Sequence, residues 1–256
     1  MKTSRLLHDL DLARIALLTT AEKRVELSKL KASWPPYGYK PFRMTILDTL
    51  NIEAGPLAPL PQTKWAAIEC AIRLWGTSPE EIAANLRVAE GLYHFACGLD
   101  VAGKRQEFYP LVLSPTEKLS ASYWSPIVIS VDKRPVVPFF DPRKSNKLSP
   151  LGRQFALSAA HQRIRVLEHD FRDIELAVFQ FSNPKVGLRV AKPYFASDID
   201  RLVEYDELLS KVQETYAIWN EIFAEREEKR RQESRGSEGE EFRLIAPLEA
   251  RRRRRT

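Results

Sequence analysis

Asp141, Glu175 and Gln180 are the side chains best suited to metal-assisted hydrolysis. Asp141 closes one apolar run and the other two lie in a later one. From strand ends, two carboxylates and an amide could hold Mg2+ or Mn2+ over a phosphodiester. The chain around them is rich in cations. From Asp132 to Val166 eight bases, among them Arg134, Arg143, Lys144, Lys147, Arg153 and Arg165, stand against two acids, a local excess as large as the formal +6 of the whole chain. Arg143, Lys144 and Lys147 precede Ser149-Pro150, an N-cap followed by proline in the first helical position. The free N–H groups and positive dipole end of such a helix suit a phosphate. Further along, His161 shares a polar helix side with Gln154, Ser158 and Arg165. Trp34, Tyr37 and Tyr39, set among prolines and cations in residues 33–43, could stack unpaired bases.

The elements that must carry these groups can be read from hydropathic period. Residues 127–131 (IVISV) and 136–140 are apolar runs separated at Asp132-Lys133, which predicts a hairpin. Pro135 and Pro138 cannot donate to a ladder, so the second strand is expected at a sheet edge or paired on one side only. A helix over 150–167 follows, then strands over 174–181 and 188–195, with another at 107–113. Before them come helical patterns over 4–18 and 21–32, the second with a Thr19/Glu22 capping box. Another spans 63–75, where Trp65, Ile68, Ile72 and Trp75 form a stripe, and a third starts at a Ser78/Glu81 capping box and runs to about 97. A helix over 206–227 presents Leu208, Val212, Tyr216 and Trp219 to the sheet. Clustered helices followed by clustered strands predict an α+β fold, with a mixed or antiparallel sheet of four to five strands packed by helices. The expected division is an N-terminal helical segment (1–50), a Pro-rich connection (51–62), a main domain (63–224) and a disordered charged tail (225–256).

The order strand, Asp141 at its end, basic helix, and strand beginning at Glu175 resembles the acidic core of restriction-endonuclease-like enzymes. The resemblance implies a metal-dependent nuclease in which a lysine two positions after an acidic or glutamine residue orders the attacking water. Here Glu175 is followed at that distance by Ala177, Gln180 by Ser182 and Asp141 by Arg143, so the lysine has no counterpart. His8, His94, His161 and His169 occur in no nucleophile-elbow or metal-binding context, and there is no phosphate-binding glycine loop. Cys70 and Cys97 fit no metal or redox spacing and are expected to be buried thiols in a reducing compartment. No apolar stretch approaches the ~18 residues of a membrane span.

The expectation is therefore a cytoplasmic, nucleic-acid-associated protein. It would grip the DNA or RNA backbone through Arg134, Arg143, Lys144, Lys147, Arg153, His161 and Arg165, with no cofactor unless the nuclease alternative brings Mg2+ or Mn2+. The other alternative is a non-catalytic scaffold subunit that docks a protein partner through its terminal amphipathic helices.

Overall fold

A computed structural model describes residues 6–30, 38–52, 63–97, 99, 101–114, 119–184 and 188–252, with side chains through 232. Trp34, Tyr37 and residues 53–62 of the expected connection lie outside the described residues. In chain order the helices are α1 (Asp9–Ile15), α2 (Thr20–Lys29), α3 (Lys40–Met44), α4 (Ile46–Thr49), α5 (Trp65–Trp75), α6 (Pro79–Cys97), α7 (Pro150–Ala160) and α8 (Tyr205–Arg252). The strands are β1 (Val101–Arg105), β2 (Leu111–Ser114), β3 (Leu119–Ala121), β4 (Ile127–Val131), β5 (Arg134–Asp141), β6 (Glu175–Phe181) and β7 (Ala191–Phe195). The fold is α+β: five strands form a mixed sheet in the order β1-β4-β5-β6-β7, and β2 and β3 pair separately.

The sheet is buried on both faces because its central strands are apolar between polar ends. Every residue of β6 is buried. Leu176 and Val178 point into a core shared with α1, α2, α7 and α8. Ala177, Phe179 and Phe181 point into a second core with α3, α4, α5 and α6. Each large side chain so removed from water contributes roughly 1.5–3 kcal/mol, and together they fix the strand's register.

The β4–β5 hairpin turns through Asp132 and Lys133, both with positive φ (50° and 67°), as a two-residue turn matched to strand twist requires. β5 is interior, yet its pairing with β4 ends at Val136. Beyond that point it pairs with β6 alone, in parallel. The carbonyl of Pro138 accepts from the Ser125 N–H on the β4 side (2.7 Å), so its missing N–H falls where no ladder partner is due. β1 was not expected. Its sequence, VAGKR, carries no strand signal and is almost wholly exposed, and it is held by antiparallel pairing with β4. Residues 107–110, expected as part of a strand, are irregular, and β2 begins at Leu111.

The helix starts follow the local chemistry. Thr19 and Glu22 form the capping box of α2. At α6, Ser78 Oγ accepts from the Glu81 N–H (3.2 Å), but the Glu81 carboxylate turns to Thr77 N (2.8 Å), Thr77 Oγ (2.6 Å) and Gly38 N (3.2 Å), tying the start of α3 to α6. Gly91 lets α6 touch the irregular segment that leads into β7: a Cβ there would stand 1.7 Å from the Arg189 carbonyl oxygen. α8 runs past Glu225, where charge density had suggested unravelling; Arg230 pairs with Glu227 and Gln232 with Glu228, the spacings that support an exposed helix. Among the described residues, no helix is long and apolar enough to cross a membrane.

Candidate functional site

The parallel β5–β6 pair sets the positions of the three candidate catalytic groups. Val136 is in register with Glu175, and Asp141 with Gln180. Asp141 and Glu175 are therefore five residues apart along the sheet, about 16 Å at ~3.3 Å per residue. Two carboxylates so placed cannot share a metal ion, and no group of three or more His, Cys, Asp or Glu side chains suited to one occurs among the described residues. The geometry thus removes the constellation on which the endonuclease resemblance rested.

Asp141 instead closes a loop. It is fully buried and accepts from Leu148 N (2.8 Å), Gln180 Nε2 (3.0 Å) and Arg143 Nε (2.9 Å). Gln180 donates as well to the Leu148 carbonyl (3.0 Å) and accepts from Arg153 (3.1 Å). Residues 142–149, which join β5 to α7, are held down by this network. At the other end of β6, Glu175 accepts from Arg134 and from Arg165 (3.2 Å), and Arg165 also donates to the Ile174 carbonyl (2.6 Å).

The cations expected to grip phosphate are engaged in these internal contacts. Arg143 bridges Asp141 and Asp11 (3.2 Å to the latter). Lys147 donates to the Phe181 carbonyl, and its pKa is lowered, chiefly by burial and secondarily by nearby Arg189. Arg153 lies 3.9 Å over the Tyr194 ring, while Arg134 stacks 5.2 Å from that of Phe195. Lys144 is exposed and alone of the lysines and arginines in the set makes no hydrogen bond or ion pair among the described residues.

The polar face of α7 is likewise occupied. Ser158 is buried and accepts from Val203 N (2.8 Å), while Gln154 donates to the Arg201 carbonyl (2.8 Å); the segment before α8 lies along it. After Ala160 the helix widens into a π-turn, His161–Arg165. There His161 Nδ1 is buried without a partner among the described residues, and burial lowers the imidazole pKa. Tyr39, the described member of the aromatic trio, is half-buried at the start of α3.

The apolar faces of the terminal helices are also spent inside the molecule. Leu10, Leu12 and Leu27 share a core with Leu208, Val212 and Trp219. Lys23, fully buried, reaches Glu214 at 2.6 Å, and Arg24 reaches Glu221 at 2.8 Å, so α2 is bound along α8. Beside α2 an open groove of about 560 Å3 is lined by Leu18, Ala21 and Val25, with Arg14 and Lys147 opposed by Glu22 and Glu26.

Unused apolar surface is found on α5. Ile68 and Ile72 are buried, but Trp75 of the predicted stripe is 50% exposed and Leu74 is 79% exposed. Both cysteines are exposed, against expectation, and Cys70 lies on the outer side of α5 with Ala66 and Ala67. The stripe-only reading missed this face. Its signal is the lack of a polar side: Glu69 and Arg73 are the helix's ionisable residues besides Cys70, and they pair with each other at 2.6 Å.

Residues 10–229 match the model of a family described as "SocB: Sliding clamp-binding bacterial toxin SocB". A protein of Caulobacter vibrioides (strain NA1000 / CB15N), "DNA replication inhibitor toxin SocB", is 34% identical over 242 residues, which cover 92% of this chain and 97% of that protein. No solved structure matches. The partner in the family's description is a protein. This overturns the expectation of a DNA-binding or RNA-binding protein, and the internal pairing of the cations gives the physical reason that expectation failed.

Proposed function

Because the chain belongs to the family of sliding clamp-binding bacterial toxins, we propose that it is a toxin that binds the bacterial sliding clamp and inhibits DNA replication. The carrying observation is the extent of the relationship. Identity runs over 97% of the named replication inhibitor, so the likeness does not rest on one shared segment of a larger protein. Action on the clamp places it in the cytoplasm and makes its principal contact protein to protein. The inward-turned basic cluster agrees with this, since Arg134, Arg143, Lys147, Arg153 and Arg165 are committed to partners within the chain.

The test is controlled expression in a bacterial host, with incorporation of labelled thymidine and co-purification of the clamp measured together. The reading expects DNA synthesis to fall within one generation, before protein synthesis does, and the clamp to be retained at 0.5 M salt, where screening weakens purely ionic contacts. Unchanged DNA synthesis, with no clamp retained, would overturn it.

A further inference from the structure

We propose that the clamp docks on the outward face of α5, an inference that rests on the clamp reading above. At about 100° per residue, Ala67, Cys70 and Leu74 fall within about 60° of one another. Their side is opposite the one that buries Ile68 and Ile72. A helix apolar on both sides is normally interior, yet this one forms the outer surface of its layer. Its neighbourhood enlarges the patch. Trp75 is 50% exposed, and Met44, on α3 packed against α5, is 55% exposed; Lys40 Nζ stands 6.0 Å from the Trp75 ring.

Two other exposed apolar segments, on α2 and after α7, stand among charges. Val25 is flanked in sequence by Arg24 and Glu26, and Val166-Leu167 by Arg165 and Glu168. The groove beside α2 carries charges of both signs, and nothing in the structure indicates what would fill it.

Area and charge select the occupant. Two copies paired through an 11-residue helix, about 16 Å long and about 10 Å across, would bury on the order of 300 Å2 per partner, well short of the roughly 800 Å2 of a stable interface. The face therefore needs a larger partner, one that also covers Trp75 and Met44. Of the cations at the patch, Arg73 is neutralised by Glu69 and Lys40 stands over the Trp75 ring, so the match is to an apolar depression on a protein. Leu74 and Trp75, at the exposed end of the helix, are the side chains placed to enter it.

Binding of the purified full chain to the host's clamp is measured for the wild type, for Leu74→Lys and Ala67→Glu on α5, and for Val166→Lys on the remote patch, each checked by circular dichroism and thermal unfolding. The α5 variants are expected to keep the fold and bind at least tenfold more weakly, and the remote variant to bind within twofold of wild type. In the wild-type complex, alkylation of Cys70, read by peptide mass, is expected to slow at least fivefold. If the wild type binds and folded α5 variants bind equally well, or Cys70 alkylates at the free rate, the docking site is overturned while the clamp reading stands. Failure of the wild type itself to bind overturns the reading and the site together.

Discussion

Residues 132–166 and helix α5 stand in opposite relations to solvent. The first stretch is strongly basic, and most of its cations find partners within the chain: Arg143 in Asp141 and Asp11, Arg165 and Arg134 in Glu175, Arg153 in Gln180, while Lys133 and Lys144 stay exposed. The second carries a single acid paired with a single base, and its Ala66, Ala67, Cys70 and Leu74 face out. The contrast arises because a parallel strand pair buried on both faces leaves polar ends that must be closed. Buried carboxylates at those ends need cations and N–H donors from nearby chain. Local basicity here is the counterpart of Asp141, Glu175 and Asp11, whereas unmatched apolar surface has no counterpart within the fold and marks where a second protein can add one.

The sharpest way to break this comparison is to remove a carboxylate from the basic unit. Asp141→Ala leaves Arg143, the Leu148 N–H and Gln180 without their shared acceptor. Loss of one partner from a buried ionic network costs about 3–5 kcal/mol, so the urea midpoint should fall sharply; a change under about 1 kcal/mol would show that the cations are not held for structural reasons. Next in size is Gly91→Ala. The added methyl would collide with the Arg189 carbonyl, and overpacking of this kind costs about 1–3 kcal/mol. Because that contact is buried between α6 and residue 189 and is not on the outer face of α5, clamp binding by the folded fraction should be unchanged while the melting temperature drops.

The legible part of this fold was local. The Asp132-Lys133 turn, the Ser149 cap and the largely apolar β6 follow from rules acting over a few residues, and the α+β class follows from their order. What stayed hidden depended on contacts across the chain. β1 forms by pairing with β4 although its own residues do not favour a strand. Ser158 and Gln154 looked solvent-facing until residues 201–203 were laid over them. The basic cluster was visible in sequence, but the direction of its side chains was not, because Asp11 lies 132 residues from Arg143. α5 was recognised as a helix, yet a stripe of four residues drew notice away from Ala67, Cys70 and Leu74 behind it.

A pH titration probes the inward-facing region more gently. His161 and His8 both have pKa values lowered from the usual 6.5. Desolvation is the main cause for each, at the half-buried His161 and at His8, whose outer edge is exposed. Around His161, Arg165 adds to the lowering and Glu204 opposes it; around His8, Arg143 and Arg43 add while Asp9 and Asp11 oppose. The folded state thus holds these rings neutral, and the unfolded chain takes up protons first. Stability from this source is complete above about pH 6.5 and declines as pH falls through the lowered values. Glu26, Glu81 and Glu214, whose pKa values lie below the usual 4.5, stay ionised over the upper part of that decline. The melting temperature should therefore be lower at pH 5.5 than at 7.5, and His161→Gln should narrow the difference; an equal drop in the variant would remove His161 as a cause.

The smallest effects carry the comparison to the surface. Lys144 is an exposed member of the basic set that makes no hydrogen bond or ion pair among the described residues, and Leu74 is the most exposed large apolar side chain of α5. Neither is held by the fold, so Lys144→Glu and Leu74→Ala should each change stability by no more than about 0.5 kcal/mol. Their consequences for association should nevertheless separate. Reversing the charge of Lys144 alters only a screened surface field, worth little at physiological salt, and should leave clamp affinity within twofold. Truncating Leu74 removes most of one side chain's apolar area from the docking face, so affinity should fall about tenfold with little dependence on salt. If the order is reversed, with Lys144→Glu weakening binding steeply at low salt and Leu74→Ala silent, the exposed remnant of the basic stretch is the contact, and unmatched apolar surface was the wrong guide to it.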